Sequence, residues 1–277
     1  MSDRLRYTLI DGVKCFSPEV AQSYSDYPDG GFDITDESAN ASFWVRSRNR
    51  LFKRMVLEQM NASGGTRLLE IGCGTGEFIR HIVDTDGLDI TGSEVYLKGL
   101  VYAKKKLPDV EFIQLDVTQA TIDTQFDMIV AFDVIEHIDD DIAALANMHQ
   151  MLAPGGTLVI SVPQHQFLWS RLDEIVRHKR RYSRRDMLDK LQGQGFTVTR
   201  RTSFVFVLFP LMLVSRLLDK RGRRADTDDA ALDKRVSFSP WLNTIMDGLM
   251  RIDEALIRLG LSLPFGGTLV AVARKNA

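Results

Sequence analysis

The order of apolar and polar positions divides the chain into a polar lead, a long middle of alternating short and periodic segments, and a late apolar stretch. Residues 1–40 are polar, with Pro18, Pro28 and a Gly30-Gly31 pair, and read as a loop or a loosely tied arm. Over 43–60 the apolar Phe43, Leu51, Phe52, Met55, Val56 and Met60 predict an amphipathic helix, broken by Asn61-Ala-Ser-Gly-Gly. From residue 66 short apolar runs alternate with helical periodicity. Strands are predicted at 66–71, 88–91, 110–115, 126–132 and 157–162, and helices over roughly 76–83, 95–106 and 139–152. Ala153-Pro-Gly-Gly is a turn into the fifth strand. This alternation specifies an α/β fold built on a doubly wound, mostly parallel sheet.

After a loop at 163–182, Ser183 and Asp186 form a capping-box pattern that opens another helix, and Gly195 closes it. A sixth strand follows at 196–203. Residues 204–262 read as an insertion. Within it, Ser239-Pro240 starts a helix whose Leu242, Ile245, Leu249, Ile252 and Leu256 recur at spacings of three and four, up to Gly260. The run Thr268-Leu-Val-Ala-Val-Ala, within 267–274, is the seventh strand.

Composition narrows the function classes. A net charge of −2 in 277 residues lacks the basic excess of a dedicated nucleic-acid binder. Cys15 and Cys73 are the two cysteines; their separation gives neither a disulfide framework nor metal-type spacing, so no metal is expected. The longest uncharged apolar run, 204–215, is 12 residues with Pro210 inside it, too short for a membrane span. With no signal-peptide core at the N-terminus, a soluble cytoplasmic protein is expected, with peripheral contact at the inner membrane left open.

The first strand ends in Glu70-Ile-Gly-Cys-Gly-Thr-Gly76. Glycines let the backbone turn sharply and approach a ligand, and the helix N-terminus that follows offers free amides. In open α/β sheets ligands sit at this mouth. A dinucleotide fingerprint needs Gly-x-Gly-x-x-Gly, but Gly72, Gly74 and Gly76 are spaced by two and Glu77 stands where the third glycine would fall. An oxidoreductase of the NAD type is therefore the alternative, not the leading reading.

The segment Leu68-Leu-Glu-Ile-Gly-Cys-Gly-Thr-Gly-Glu-Phe78 resembles motif I of the class I methyltransferases that use S-adenosylmethionine (SAM). Later segments resemble that family's other motifs in order: Glu94 past the second strand, Gln114-Leu-Asp-Val117, Phe126-Asp-Met-Ile-Val-Ala-Phe-Asp-Val-Ile-Glu-His137, and Leu152-Ala-Pro-Gly-Gly-Thr-Leu158. The likeness covers about 43–203 and 264–274, and the overall pattern resembles bacterial methyltransferases of the broad type 11/12 kind. It implies a Rossmann-like, seven-stranded sheet with an antiparallel last strand. It also implies an arm and helix over the cofactor (1–65), a SAM-binding core (66–203), a helical insertion or lid (204–263) and a final strand (264–277).

The same resemblance implies which residues meet SAM. The loop residues Glu70, Gly72, Cys73, Gly74 and Gly76 would bind the cofactor, with Glu70 suited to the cationic amino group of its methionine moiety. Glu94, beside Val95, would hold the ribose diol, since a carboxylate accepts two hydrogen bonds. Asp116 and Val117 would meet the adenine, with Phe132, Asp133 and His137 at the end of the fourth strand. Trp44, Arg46 and Arg48 belong to a helix covering the methionine end, where an arginine pairs with the carboxylate. Plainer roles stay open: Glu94 and Asp116 as helix caps, Asp133 and His137 as loop-orienting groups, and the arginines as a solvated face.

Methyl transfer is a displacement that needs alignment first, and a base helps when the acceptor is a hydroxyl. His165, Asp173, His178 and Tyr182 follow the fifth strand, with His165 and His178 the leading candidates and Tyr182 third. Six of the nine residues 177–185 are Lys or Arg, and Lys220-Arg-Gly-Arg-Arg follows the apolar run at 204–214. That pairing suits a lid, a dimer interface or an interfacial helix on an acidic membrane. Phe132-Asp-Val-Ile stands where base-modifying relatives carry Asn-Pro-Pro-Tyr, and no nucleic-acid partner is expected. The expected activity is methylation of an O or N atom of a small-molecule, sugar or lipid-linked acceptor. A non-catalytic SAM-binding protein, or one binding the demethylated product S-adenosylhomocysteine (SAH), is a further alternative.

Overall fold

The computed structural model describes residues 7–21, 42–221 and 239–276. Part of the predicted N-terminal loop is structured. Thr8–Ile10 (β1) and Val13–Cys15 (β2) pair antiparallel, and β2 then adds to the sheet edge. Three-residue strands are too short to leave a periodic pattern, which is why the lead read as loop. A single turn, Pro18–Ala21 (α1), follows.

Helix α2 (Phe43–Ser63) starts on Ser42, whose hydroxyl accepts from the Trp44 amide, and ends on Gly64 in the left-handed region at φ 68°. It runs one turn past the predicted 43–60, because Asn61-Ala-Ser continues the helix and only glycine fits its left-handed stop. Then come β3 (Arg67–Ile71), α3 (Ile79–Ile82), β4 (Asp89–Glu94), α4 (Leu97–Lys106), β5 (Glu111–Gln114) and β6 (Phe126–Phe132). The helix predicted at 76–83 shrinks to α3, since Gly74 and Gly76 have φ of 54° and 78° and hold the loop open. Next are α5 (Asp141–Met151), β7 (Leu152–Pro163), α6 (Arg171–Ile175), α7 (Arg184–Gly193), β8 (Phe196–Phe204), α8 (Phe209–Arg221), α9 (Pro240–Arg258) and β9 (Thr268–Lys275).

The strands join one nine-stranded sheet in the order β1-β2-β5-β4-β3-β6-β7-β9-β8. From β2 to β7 every pairing is parallel, and β9 runs against both of its neighbours. The mixed α/β architecture and the antiparallel last strand are as expected; the hairpin makes the sheet nine-stranded instead of seven. Side chains alternate across it. Leu68, Met128 and Val130 face a layer with Phe52, Met55 and Ile79, while Leu69, Ile129 and Ala131 face one with Leu145, Met148 and Leu191.

The chain winds outward from β3 through β4 and β5, then crosses back to β6 and β7 on the other side. The reversal opens a crevice at the carboxyl ends of β3 and β6, where open α/β sheets bind ligands.

Helix α9 departs from its predicted face. Met250, Asp253 and Ile257 are buried, whereas Ile245 and Ile252 are 50% and 45% exposed. The cause is polar: Asp253 turns inward to accept from the Phe206 and Val207 amides at 2.6 and 3.0 Å. Glu254 and Asp247 beside it grip Arg50 of α2 at 2.7 and 3.0 Å. Those bonds fix the helix rotation against the simple apolar stripe. Among the described residues, no helix is long and apolar enough to cross a membrane.

Candidate functional site

The loop after β3 is held by its backbone. Gly72 lies at φ 69°, and a Cβ there would meet Val134 Cγ2 at 2.5 Å. The Cys73 amide donates to Ser93 O and the Gly76 amide to Cys73 O, each at 2.9 Å. Cys73 is buried, and burial holds its thiol protonated well above the usual range, so it is a wall of the loop and no nucleophile. Glu77, in the position that departs from the dinucleotide pattern, pairs with Arg80 at 2.5 Å.

Glu94 ends β4 directly beneath this loop. Its carboxylate accepts from the Gly74 amide at 3.0 Å, Val95 at 2.8 Å and Tyr96 at 3.3 Å. Burial raises its pKa, against those three amides. Glu94 thus caps the following turn and also tethers the glycine loop. Asp116 is buried at the end of β5, and its carboxylate takes the Thr118 amide and hydroxyl at 2.9 and 2.7 Å and the Gln119 amide group at 2.9 Å. Its neighbour Val117 is buried and accepts from Asn147 through its carbonyl at 2.8 Å.

Of the two α2 arginines predicted to meet the cofactor, Arg46 and Arg48, one points at the crevice. Arg48 donates to Asp133 at 2.6 Å and lies over the rings of Trp44 and Phe52, 5.1 and 5.5 Å from their centroids. Arg46 instead lies 3.9 Å from Asp247 on α9. Asp133 sits at φ 57° and also accepts from Ser161 at 3.0 Å, while Phe132 stacks on Phe52 at 4.1 Å. Glu70 is buried with one carboxylate oxygen unpartnered, and Arg48 Nε is buried without a partner too. Burial pushes Glu70 up to about 8, opposed by Arg48 and reinforced by Glu94 and Glu77. An acid and a guanidinium with spare valences suit the ammonium and carboxylate of an amino acid, and SAM ends in one.

On the far side the predicted catalytic residues separate. Tyr182 is fully buried; its hydroxyl donates to Asp141 at 2.7 Å and also lies 3.2 Å from the Ile135 carbonyl oxygen. Burial and Asp141 hold that phenol protonated, so Tyr182 is a core anchor and leaves the catalytic set. His165 sits at φ 66° against Phe167 and Phe209, with ring centroids 4.9 and 5.9 Å away and Nε2 buried without a partner. Burial, with Arg184 and Arg181 nearby, lowers its pKa and keeps the imidazole neutral. Phe265 packs on both Phe206 and Phe209 beside it, and the sequence pattern gave Phe265 no role.

His178 lies elsewhere, with Nδ1 2.9 Å from Asp173 Oδ1 and Nε2 3.8 Å from Glu136 Oε1. His137 packs edge-on against it at 4.8 Å, and burial with His178 lowers His137 to about 4. Glu136, inside the fourth-strand motif, is fully buried and neither of its carboxylate oxygens has a hydrogen-bond partner. A small cavity of about 180 Å³ between Tyr7, Lys14, Phe16 and Phe126 shares no residue with the crevice.

A family model described as a methyltransferase domain matches residues 37–201, more than half of the chain. The chain belongs to the methyltransferase-domain family. That match supports a class I SAM-dependent methyltransferase. Among curated relatives, a demethylmenaquinone methyltransferase of Renibacterium salmoninarum is 28% identical over 53% of this chain and 60% of its own length. The chain thus spans less than two thirds of that relative. An O-methyltransferase of Aspergillus sclerotiorum is 26% identical over 74% of this chain and 84% of its own. In fold, the chain is similar to phosphoethanolamine N-methyltransferase 2 of Haemonchus contortus, with a TM-score of 0.55, 19% identity, and coverage of 92% of this chain and 58% of that one.

Proposed function

We propose that this methyltransferase acts on a hydroxyl of an apolar small-molecule or lipid-linked acceptor, with His165 as the base. The observation that carries the reading is His165 itself: a neutral imidazole with an unpartnered buried Nε2, set among Phe167 and Phe209. An apolar wall favours an apolar acceptor, and a lone nitrogen facing it is the atom to receive a proton. SAM supplies an electrophilic methyl on a sulfonium. His165 Nε2 would take the proton of the acceptor hydroxyl, leaving its oxygen to receive that methyl, with the carbon–sulfur electron pair left on sulfur.

On the cofactor side, the role of Glu70 and Arg48 is to hold the amino-acid end, that of Glu94 the ribose and that of Asp116 with Val117 the adenine. Helices α8 and α9 are the lid over the acceptor. Its outer surface supports a lipid-linked substrate: Leu211, Val214, Trp241, Ile245 and Ile252 are exposed on α8 and α9. The basic residues 220–224 that would complete an interfacial surface lie outside the described residues. The O-methyltransferase among the relatives supports oxygen over nitrogen as the acceptor atom.

The test is methyl-labelled SAM with organic and aqueous extracts of cells as acceptor pools. Label is expected in the organic fraction. His165→Gln is expected to lower turnover by about 100- to 10,000-fold while SAH affinity is unchanged. Label in the aqueous fraction alone, or full turnover in the variant, overturns the reading.

A further inference from the structure

Outside the SAM crevice, the fold gathers one cluster whose state the methyl-transfer chemistry does not explain. We propose that Glu136, His137 and His178 form a binding site for a divalent first-row transition cation such as Zn²⁺, Mn²⁺ or Co²⁺. The inference goes beyond the proposed function, because cation binding is measurable whatever the acceptor is.

Geometry comes first. Glu136 and His137 stand on the tight turn Ile135–His137 that follows β6, and His178 arrives from the loop after α6. One donor atom from each of the three lies within 4.8 Å of the others. The 3.8 Å from His178 Nε2 to Glu136 Oε1 is too long for a hydrogen bond. Two ligands bound at about 2.0–2.2 Å to one ion stand about 3.4 Å apart at a tetrahedral angle, so a small closure seats a cation.

The second observation is independent of that spacing. Glu136 is fully buried, yet neither carboxylate oxygen has a hydrogen-bond partner. A buried carboxylate left in that condition is costly and calls for a proton or a cation. The imidazoles beside it are prepared for the second. His178 Nδ1 is held by Asp173, which Arg181 grips at 2.7 and 3.0 Å and Ser170 at 2.9 and 3.0 Å. That arrangement places Nε2 on the side of Glu136, 3.8 Å from its Oε1, and is the carboxylate–histidine pairing found behind metal ligands. His137 is likewise held through a hydrogen bond at the Arg177 backbone.

The flanking cations do not oppose a metal ion, since each is engaged nearby. Arg181 is tied to Asp173, Lys179 to Asp139 and Arg180 to Asp141, and Arg48 to Asp133. Two imidazoles and one carboxylate suit Zn²⁺, Mn²⁺, Fe²⁺ or Co²⁺ better than Mg²⁺ or Ca²⁺. Three protein ligands leave a position open, where an oxygen could be polarised. The sequence showed no metal-type spacing because two ligands are adjacent on a turn and the third comes from a separate loop.

The test uses the full chain, freed of metal by a chelator that is then removed, and titrated with Co²⁺. One Co²⁺ per chain is expected, with visible d–d bands displaced by Zn²⁺. Glu136→Gln and His178→Ala should each weaken Co²⁺ by more than about 100-fold, and Asp173→Asn by about 10- to 100-fold. SAH affinity, measured in parallel, should stay within about twofold in each, which separates loss of the site from loss of the fold. Should one variant not fold, the other decides. No stoichiometric Co²⁺ uptake, or uptake unaltered in a folded variant, overturns the proposal.

Discussion

Two regions of the molecule are built differently. On the cofactor side, two carboxylates are satisfied by groups close in sequence or on the next strand: Glu94 by Gly74, Val95 and Tyr96, and Asp116 by Thr118 and Gln119. Away from the loop, groups meet from distant segments and atoms keep spare valences, as Glu70 and Arg48 also do at the crevice. His165 stands with Phe167 and Phe209, and Glu136 with His178, while His165 Nε2 and both Glu136 oxygens lack partners. A backbone cradle demands glycines at fixed spacing and so writes a contiguous motif. A side-chain pocket demands only that the right groups converge.

The sharpest way to break this comparison is at Gly72. Gly72→Ala forces a side chain onto a backbone at φ 69° and against Val134, a strain of about 1–3 kcal/mol before any ligand is considered. SAH affinity should fall by at least about 100-fold, read by calorimetry. An unchanged affinity would mean that the cradle is not the cofactor's contact.

Arg48→Ala comes next. It strips Asp133 of its 2.6 Å partner and Glu70 of the nearby positive charge. SAH affinity should drop by about 10- to 100-fold, whereas Arg46→Ala, whose side chain faces Asp247, should change it by less than about threefold. Equal effects in the two would remove the assignment of Arg48 to the methionine end.

A smaller effect follows from Glu70. Its ordinary value is 4.5 and burial lifts it to about 8, with Arg48 opposing and Glu94 and Glu77 reinforcing. The folded state holds that proton more tightly than the unfolded chain. Its contribution to stability is therefore complete below pH 4.5 and is lost as pH rises through about 8. Thermal melts of the ligand-free protein should show stability falling between pH 5 and 8, and Glu70→Gln should flatten that slope. A parallel slope in the variant would contradict the assignment. Least in magnitude, Trp241→Ser at a 66% exposed position should shift stability by less than about 0.5 kcal/mol. It should nevertheless weaken cosedimentation with vesicles if α9 faces a lipid surface.

Much of the fold was legible in the sequence, because strands 66–71 and 126–132 and the loop between sheet and helix have local causes. The hairpin β1–β2 was not, since its three-residue strands carry no period and gain stability only by docking on β5. The face of α9 was misplaced for another reason: Asp253 is polar in sequence yet turns inward to cap Phe206 and Val207. Tyr182 illustrates the same limit, as nothing around it in the chain announces the hydrogen bond to Asp141 that buries it. Glu136 was in view within the fourth-strand motif, but its isolation is a property of the packed core.

The most direct test of the central claim, that SAM lies over the loop with its ribose on Glu94, is a calorimetric titration with SAH. The account predicts one site per chain in the wild type, with affinity lowered by about 10- to 100-fold in Glu94→Ala and by less in Glu94→Gln, which keeps one acceptor oxygen. Wild-type affinity retained in a folded Glu94→Ala protein would contradict it.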